Sequence, residues 1–308
     1  MSVIHQLDNT ICMNHRILLT LFLIVICSNI YGQKMHYAPA GSIMISGNII
    51  NTPNGTFSWR NELFSGDTLD KVIVTAYYDC RFMTDTTTKT YTKYLADLEI
   101  GNYYSKFYAH KLYIIDSLCS SKEFLENKNA TWIIADYYHN EYPWTFNNVI
   151  YTKNLDQNYK MSSRFIEVDY IHSGDIPEFH WTIHDSTKVI AGYTAQKATC
   201  SHNGFNYTAW FAPEIPISAG PWKFRGLPGL IISVKDSNEE YVYELRGLNT
   251  QERYIILPKY DYVEISEKKY TELRRLAIES EGFSETHTLS QQSTRRFLEP
   301  QIMKYRLQ

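Results

Sequence analysis

The motifs that most often identify an enzyme or a nucleic-acid-binding protein are absent from this sequence. It has no Gly-x-Ser-x-Gly, His-Glu-x-x-His, phosphate-loop or dinucleotide-binding glycine motif. Its 30 Lys and Arg are balanced by 33 Asp and Glu, which leaves no excess of basic residues for nucleic acid. No segment repeats at a fixed period, and no linker is rich in Gly, Ser or Pro. We therefore predict one domain without nucleic-acid partner, cofactor or catalytic residue.

Cysteine is also scarce. Of the five cysteines, Cys12 and Cys27 precede the folded part of the chain, which leaves Cys80, Cys119 and Cys200. No pair has metal-ligand spacing, so we predict no metal site. An odd number of cysteines in an exported protein allows one disulfide and one free thiol, or three buried thiols. The sequence leaves both arrangements open.

The longest hydrophobic run lies near the N-terminus, at residues 17–26, directly after a short positive segment. It is too short for a comfortable membrane span and ends in small and polar residues, which is typical of a secretory signal peptide. We place cleavage after Gly32, so that residues 33–308 form the mature, exported chain with no transmembrane segment. Met13 begins a normal leader by itself and is an alternative start. Cys27 lacks the small preceding residue of a lipobox, so we predict no lipidation.

Aromatic residues, by contrast, are abundant, with 25 Tyr among the 308 residues. Tyrosine-rich alternating segments suit half-solvated β-sheets. The alternation predicts strands at 43–50, 57–64, 71–82, 131–138, 148–152 and 161–170. Residues 91–108 show no clean period. Helices are predicted at 118–127, capped by Asp116-Ser117, and at 266–280, capped by a serine.

The second half of the chain predicts hairpins more sharply. Asn203-Gly204 separates the alternating run 190–200 from the run 205–211, and this dipeptide is a strong hairpin signal. A second hairpin joins 230–234 to 241–245. We predict a mainly β fold, a strongly curved antiparallel sheet or open half-barrel with a C-terminal helix packed on it. The tail after about residue 284 is polar and predicted to be irregular.

A glycine-punctuated segment, Gly226-Leu227-Pro228-Gly229-Leu230-Ile231, leads into one of these strands. Pro228 suits the first central position of a turn, and Gly229 suits the positive φ that a type II turn requires next. Gly226 permits a sharp bend or a close backbone approach. The six residues carry no titratable group, nucleophile or side-chain donor, which predicts a structural role.

These six residues resemble the defining motif of the GLPGLI family, also called the Porph_ging family, which comprises secreted proteins of Bacteroidetes. Further positions match the family pattern in order and spacing: Trp181, Lys188, Ile190, Gly192-Tyr193, Gln196-Lys197-Ala198, Ala209-Trp210-Phe211, Pro213-Glu214-Ile215-Pro216 and Gly220-Pro221. Thr194 stands where relatives often have cysteine, so a family role for that thiol does not transfer. The resemblance implies a secreted envelope protein and no defined activity.

Two groups of residues are candidates for a ligand or reaction site. His172, His180, His184 and the carboxylates at 167–185 could bind a metal or hydrolyse a glycan. On one strand, however, His180 and His184 lie about 13 Å apart, too far to share an ion. Trp181, Tyr193, Trp210 and Trp222 are candidate ligand-contact residues, because Tyr and Trp line carbohydrate and apolar surfaces.

The sequence therefore favours a secreted binding or accessory protein of the cell envelope without catalytic activity. Its partner would be an unknown ligand, apolar or glycan, held in a concavity of the sheet, or another envelope protein. The competing hypothesis is a secreted hydrolase or glycan-active enzyme that uses the carboxylates or histidines of residues 167–185. A cleft with converging polar groups would favour the enzyme, and an apolar concavity would favour the binding protein.

Overall fold

The computed structural model describes residues 48–52, 55–59, 64–85, 88–127, 148–156, 158–165 and 168–279, together with residues 130 and 133. The predicted signal peptide, the first half of the predicted strand 43–50 and the C-terminal tail lie outside the described residues. Of the predicted strand 131–138, Ile133 alone is described, and it is helical. No helix in the described part of the chain is long and apolar enough to cross a membrane.

The described elements are fifteen strands and three helices. In chain order they are β1 (Asn48–Thr52), β2 (Gly55–Trp59), β3 (Asp67–Asp85), β4 (Thr90–Gly101), β5 (Tyr104–Ala109), α1 (His110–Ser120), α2 (Lys122–Leu125), β6 (Val149–Lys153), β7 (Asn158–Phe165), β8 (Val168–Asp175), β9 (Thr182–Ile190), β10 (Tyr193–His202), β11 (Phe205–Ala212), β12 (Leu230–Asp236), β13 (Tyr241–Asn249), β14 (Tyr254–Leu257), β15 (Val263–Glu264) and α3 (Glu267–Glu279).

One sheet of 13 strands contains every described strand except β1 and β2, which pair with each other. Its order is β15-β8-β7-β6-β5-β4-β3-β13-β12-β11-β10-β9, with β14 paired to β3 beside this path. Neighbours are antiparallel apart from β15, which runs parallel to β8. The sheet is open, because β15 and β9 are its two edges. The predicted mainly β, antiparallel fold with a C-terminal helix is confirmed.

Local turn chemistry accounts for the hairpins. Asn203 and Gly204 have φ of 48° and 81°, and they join β10 to β11 as a two-residue turn with positive φ at both positions. The predicted pairing of β12 with β13 is also present. Ala191 and Gly192 form a second two-residue turn of this kind, with φ of 49° and 85°. The run 190–200, predicted as one strand, is therefore broken after Ile190.

A bulge and a helix cap account for two smaller differences between the predicted and the observed elements. Val72, predicted to share a face with Val74 and Ala76, lies on the opposite face because the β3–β4 register shifts between Val72 and Val74. Helix α1 begins at His110, well before the predicted start, and Ser121 rather than Asp116-Ser117 caps α2. At the C-terminal end, α3 begins as predicted, and the side chain of Ser266 accepts from the amide of Lys269.

Each face of the sheet has its own apolar core. On β4, Ala96, Leu98 and Ile100 belong to the larger core, which also contains residues of the segment between β11 and β12. Tyr108 and Leu112 belong to the smaller core on the opposite face, which α1 and β14 cover. The cysteines Cys80, Cys119 and Cys200 are buried thiols without a disulfide. The alternative with three buried thiols is the one found.

Candidate functional site

The segment 213–229 connects β11 to β12 and packs against the larger core. It is fastened to the start of β12 by two backbone hydrogen bonds, from the amide of Leu230 to the carbonyl of Ile215 and from Ile231 to Ala219, both 2.9 Å. Phe224 and Leu227 are buried in that core. The segment therefore contributes its own side chains to the larger core on that face of the sheet.

One of the two motif glycines, Gly229, has a different role from the predicted one. Gly226 has a φ of 95°, whereas Gly229 does not have a positive φ, so no type II turn is centred on Pro228-Gly229. A Cβ at Gly229 would lie 2.3 Å from the carbonyl oxygen of Ala212, so the absence of a side chain there permits close backbone packing. Leu230 and Ile231 are completely buried.

A small pocket lies between this segment and strands β4, β5 and β6. It is lined by Leu98, Ser105, Phe107, Thr152, Asn154, Ile176, Ser218, Ala219, Gly220, Trp222, Lys223, Phe224 and Arg225. Its cavity volume is ≈ 30 Å³, which is room for about one or two water molecules. We call this space the motif pocket, because its last lining residue, Arg225, directly precedes the motif 226–231. It is too small for a sugar ring but large enough for one polar end group.

Two cationic side chains, those of Lys223 and Arg225, line the motif pocket. The guanidinium of Arg225 donates to the backbone carbonyl of Asp156 over 3.4 Å and to that of Asn154. Lys223 lies 3.4 Å from Glu267 and over the ring of Tyr159, 3.8 Å from its centroid. Burial lowers the pKa of both cations, although Glu267 opposes this effect at Lys223.

Trp222 adopts an unusual backbone conformation at the pocket. Its φ is 57°, in a tight turn closed by a hydrogen bond from Phe224 to Pro221. A bulky residue rarely occupies this left-handed region, which costs roughly 1–3 kcal/mol and is found disproportionately at functional sites. The strained turn therefore makes Trp222 the strongest candidate for a functional role among the aromatic residues that line the pocket.

The four predicted ligand-contact aromatics are not brought together in the motif pocket. Trp222 lines it, and none of Trp181, Tyr193 and Trp210 does. Trp181 donates its indole N–H to the carbonyl of Arg225 over 2.8 Å and lies beside Gly226, so it supports the segment from outside. Trp210 packs under Lys188, whose Nζ is 4.3 Å from the ring centroid.

The histidines and carboxylates of residues 167–185 are dispersed. His172 is buried and stacks on Tyr270 of α3, with ring centroids 4.9 Å apart. His184 is hydrogen-bonded to Thr199 over 2.7 Å, while His180 is exposed near Glu178. Among the described residues, no three His, Cys, Asp or Glu side chains are arranged to hold a metal ion.

A buried ionic network that the sequence did not indicate lies on the opposite face of the sheet. Asp97 and Glu99 alternate with apolar residues on β4, and both are buried under α1 and the chain around Arg253. Tyr108 donates to Glu99 over 2.8 Å, and His110 bonds to Asp97 over 2.7 Å. Burial raises the pKa of Glu99, opposed by Lys106, the Tyr108 hydrogen bond and Arg253.

This network is closed rather than open to a ligand. Arg253 lies 3.6 Å from Asp97 and 3.7 Å from Glu99, while its guanidinium stacks over the ring of Tyr113. Because both carboxylates face protein partners, the network fastens β4 to α1 and to the segment before β14. The motif pocket is therefore the better candidate for a ligand site.

Comparison with known proteins supports the resemblance but gives no activity. The model of a family described as "Protein of unknown function (Porph_ging)" matches residues 201–233, which include the β10–β11 turn and the whole motif. This match confirms the predicted resemblance over that segment. No curated protein matches the sequence.

Two crystal forms of a protein called PNGF-II are similar in structure, each at 12% sequence identity. Their TM-scores are 0.43 and 0.44. Each match covers 66% of this chain, but 33% of PNGF-II in one form and 32% in the other. This chain thus aligns with about a third of the length of PNGF-II.

Proposed function

We propose that this chain is a secreted, non-catalytic binding protein of the bacterial cell envelope, and that the motif pocket receives one end of a glycan ligand. Secretion rests on the signal peptide predicted at residues 1–32, and the envelope location on the resemblance to a secreted family. Periplasm, outer-membrane surface and exterior are all compatible with it. Another envelope protein carrying the glycan would be the natural partner.

The observation that carries the proposal is the lining of the motif pocket. Ser105, Thr152, Asn154 and Ser218 line one small space beside the strained Trp222. The Ser105 hydroxyl donates to the side chain of Asn154 over 2.8 Å, so its oxygen keeps lone pairs that can accept from a ligand. A few placed polar groups with an aromatic surface are what a sugar-binding site needs.

A curved sheet is part of the proposal. The rings of Phe107 on β5 and Tyr243 on β13 are 6.3 Å apart, although β4 and β3 lie between their strands. In a flat sheet, three strand spacings would separate them by about 14 Å. This short contact supports an open half-barrel wrapped around the segment 213–229.

The competing hypothesis of a hydrolase that uses residues 167–185 has less support. Hydrolysis of a glycan requires two carboxyl groups facing one bond. Asp175 and Glu178 are exposed, and the nearby His172 is buried against α3. The hydrolase hypothesis predicts that the protein cleaves a glycan that it binds. Mass spectrometry of the glycan after incubation with the protein would show such cleavage and would support the hydrolase over the binding protein.

Tryptophan fluorescence tests the binding proposal directly. The mature chain is titrated with a panel of neutral and acidic oligosaccharides, beside Trp222→Phe and Trp210→Phe. We expect at least one sugar to produce a saturable change that Trp222→Phe abolishes. Trp210→Phe is the matched control, because Trp210 does not line the pocket, and it should keep the change. A panel without any response, or a response kept by Trp222→Phe, would refute the proposal.

A further inference from the structure

The charged residues that line the motif pocket all have the same sign. Lys223 and Arg225 are cationic, and no Asp or Glu lines the space with them. Lys223 has a partner, Glu267, at 3.4 Å. Arg225 therefore supplies the positive charge that the pocket's own surroundings compensate least.

Arg225 is held in place by neutral groups. Among the described residues, its guanidinium donates to the backbone carbonyls of Asn154 and Asp156 and pairs with no carboxylate. A guanidinium has five N–H donors, so these two bonds leave donors for a further acceptor. The carbonyls fix the orientation of the planar group, and preorganisation of this kind reduces the cost of binding a carboxylate, sulfate or phosphate.

A neighbouring hydroxyl, that of Ser218, also lines the pocket. The side-chain oxygen of Ser218 accepts a hydrogen bond from the amide of Gly226 over 3.2 Å. Because that bond occupies a lone pair, the hydroxyl proton remains able to donate to a ligand. Burial lowers the pKa of Arg225, so a bound anion would offset part of the cost of burying this cation.

From this geometry we infer that the motif pocket binds an oxyanion, namely the carboxylate, sulfate or phosphate group at the end of an acidic glycan, with Arg225 as its main contact. The inference rests on the proposed function and names the chemical class of the ligand. The available volume admits such a group but not a sugar ring. The ring would then lie at the mouth of the pocket, against Trp222.

Calorimetric titration with four small sugars tests the inference. Glucuronate, glucose 6-sulfate and glucose 6-phosphate carry the oxyanion, and glucose is the neutral control at the same ionic strength. We expect at least one acidic sugar to bind about tenfold more tightly than glucose, and the tightest of the three identifies the oxyanion. Equal binding of glucose would overturn the inference while leaving glycan binding intact. Absence of binding by all four would also overturn it, whereas the oligosaccharide panel decides the proposed function.

Substitution of two arginines tests whether Arg225 is the residue that binds the acidic sugar. Arg225→Gln should weaken the acidic sugar about tenfold or more, whereas Arg246→Gln should not, because Arg246 pairs with Asp79 on an exposed part of the sheet. If Arg225→Gln leaves the affinity unchanged, the inference is wrong.

Arg225 also holds the turn after β6, so Arg225→Gln is not informative if that variant fails to fold. A second measurement therefore uses the parent protein. In the parent protein, affinity for the acidic sugar should fall as NaCl rises from about 50 to about 500 mM, because salt screens the charge pair. Arg225→Lys keeps the charge but loses the planar fork and should bind with intermediate affinity. A salt-independent affinity would contradict an oxyanion site.

Discussion

Replacing the two motif glycines separately distinguishes a steric requirement from a conformational one. At Gly229 an added Cβ would lie 2.3 Å from the carbonyl oxygen of Ala212 and 2.8 Å from its carbonyl carbon. Both are backbone atoms of β11, which is paired on both sides, so neither can move cheaply. At Gly226 the nearest atom to an added Cβ is 3.7 Å away, on the ring of Trp181, which is an ordinary contact.

The expected costs follow from these distances. Gly229→Ala forces apart two buried segments, and overpacking of this kind costs about 1–3 kcal/mol or more. Gly226→Ala keeps its space but places alanine at a φ of 95°, which costs about 1 kcal/mol. We therefore expect Gly229→Ala to be the more destabilising variant, with a cost of about 2 kcal/mol against about 1 kcal/mol for Gly226→Ala.

Urea unfolding of the parent and both variants, followed by circular dichroism, measures these costs. With equal m-values, differences between midpoints convert directly into free energies. Gly192→Ala is a useful control, because Gly192 has a φ of 85° and nothing within 4 Å of an added Cβ, so it reports the cost of positive φ alone. If Gly229→Ala is as stable as the parent, the close approach to Ala212 is not a requirement, and this explanation of the motif is wrong.

Four further outcomes are expected. Leu230→Ala should lower the free energy of unfolding by about 2–5 kcal/mol, because Leu230 is fully buried; a loss well under 1 kcal/mol would contradict its place in the core. Gly204→Val should cost about 1 kcal/mol or more in thermal unfolding through its positive φ, and unchanged stability would argue against the turn. Because burial raises the pKa of Glu99, the folded state binds its proton more tightly than the unfolded chain does. The parent should therefore lose stability relative to Glu99→Gln as pH rises upward from the ordinary pKa range of a Glu carboxyl; a pH-independent difference would refute this. Mass spectrometry of the exported chain should find Gln33 at its N-terminus, and a chain that retains residues 17–26 would contradict secretion as a soluble protein.

Local chemistry made part of this structure predictable from the sequence. Asn203-Gly204 defines its turn within two residues, and Ser266 caps α3 within three residues. By contrast, the requirement for glycine at position 229 arises from Ala212, which lies at the end of β11. No local sequence pattern shows that contact, and the positive φ predicted for Gly229 is therefore wrong.

The buried ionic network illustrates the same limit. Asp97 and Glu99 alternate with apolar residues on β4, which is the pattern of a strand with one solvated face. Their burial depends on α1 and on Arg253, which is more than 150 residues away in the chain. The motif pocket is similarly non-local, since Ser105, Asn154 and Arg225 come from three separate segments. Of the aromatic residues that line the pocket, the sequence predicts Trp222 alone as a ligand contact.

The central claim, that a ligand binds beside Trp222 at the motif pocket, is tested most directly by fluorine NMR. The chain contains six tryptophans, and labelling with 5-fluorotryptophan gives each its own resonance, with Trp222→Phe and Trp210→Phe assigning two of them. Addition of the tightest-binding acidic sugar should shift the Trp222 resonance in a saturable manner and leave that of Trp210 in place. A saturable shift of Trp210 with Trp222 unchanged would contradict the account and place the ligand elsewhere on the sheet.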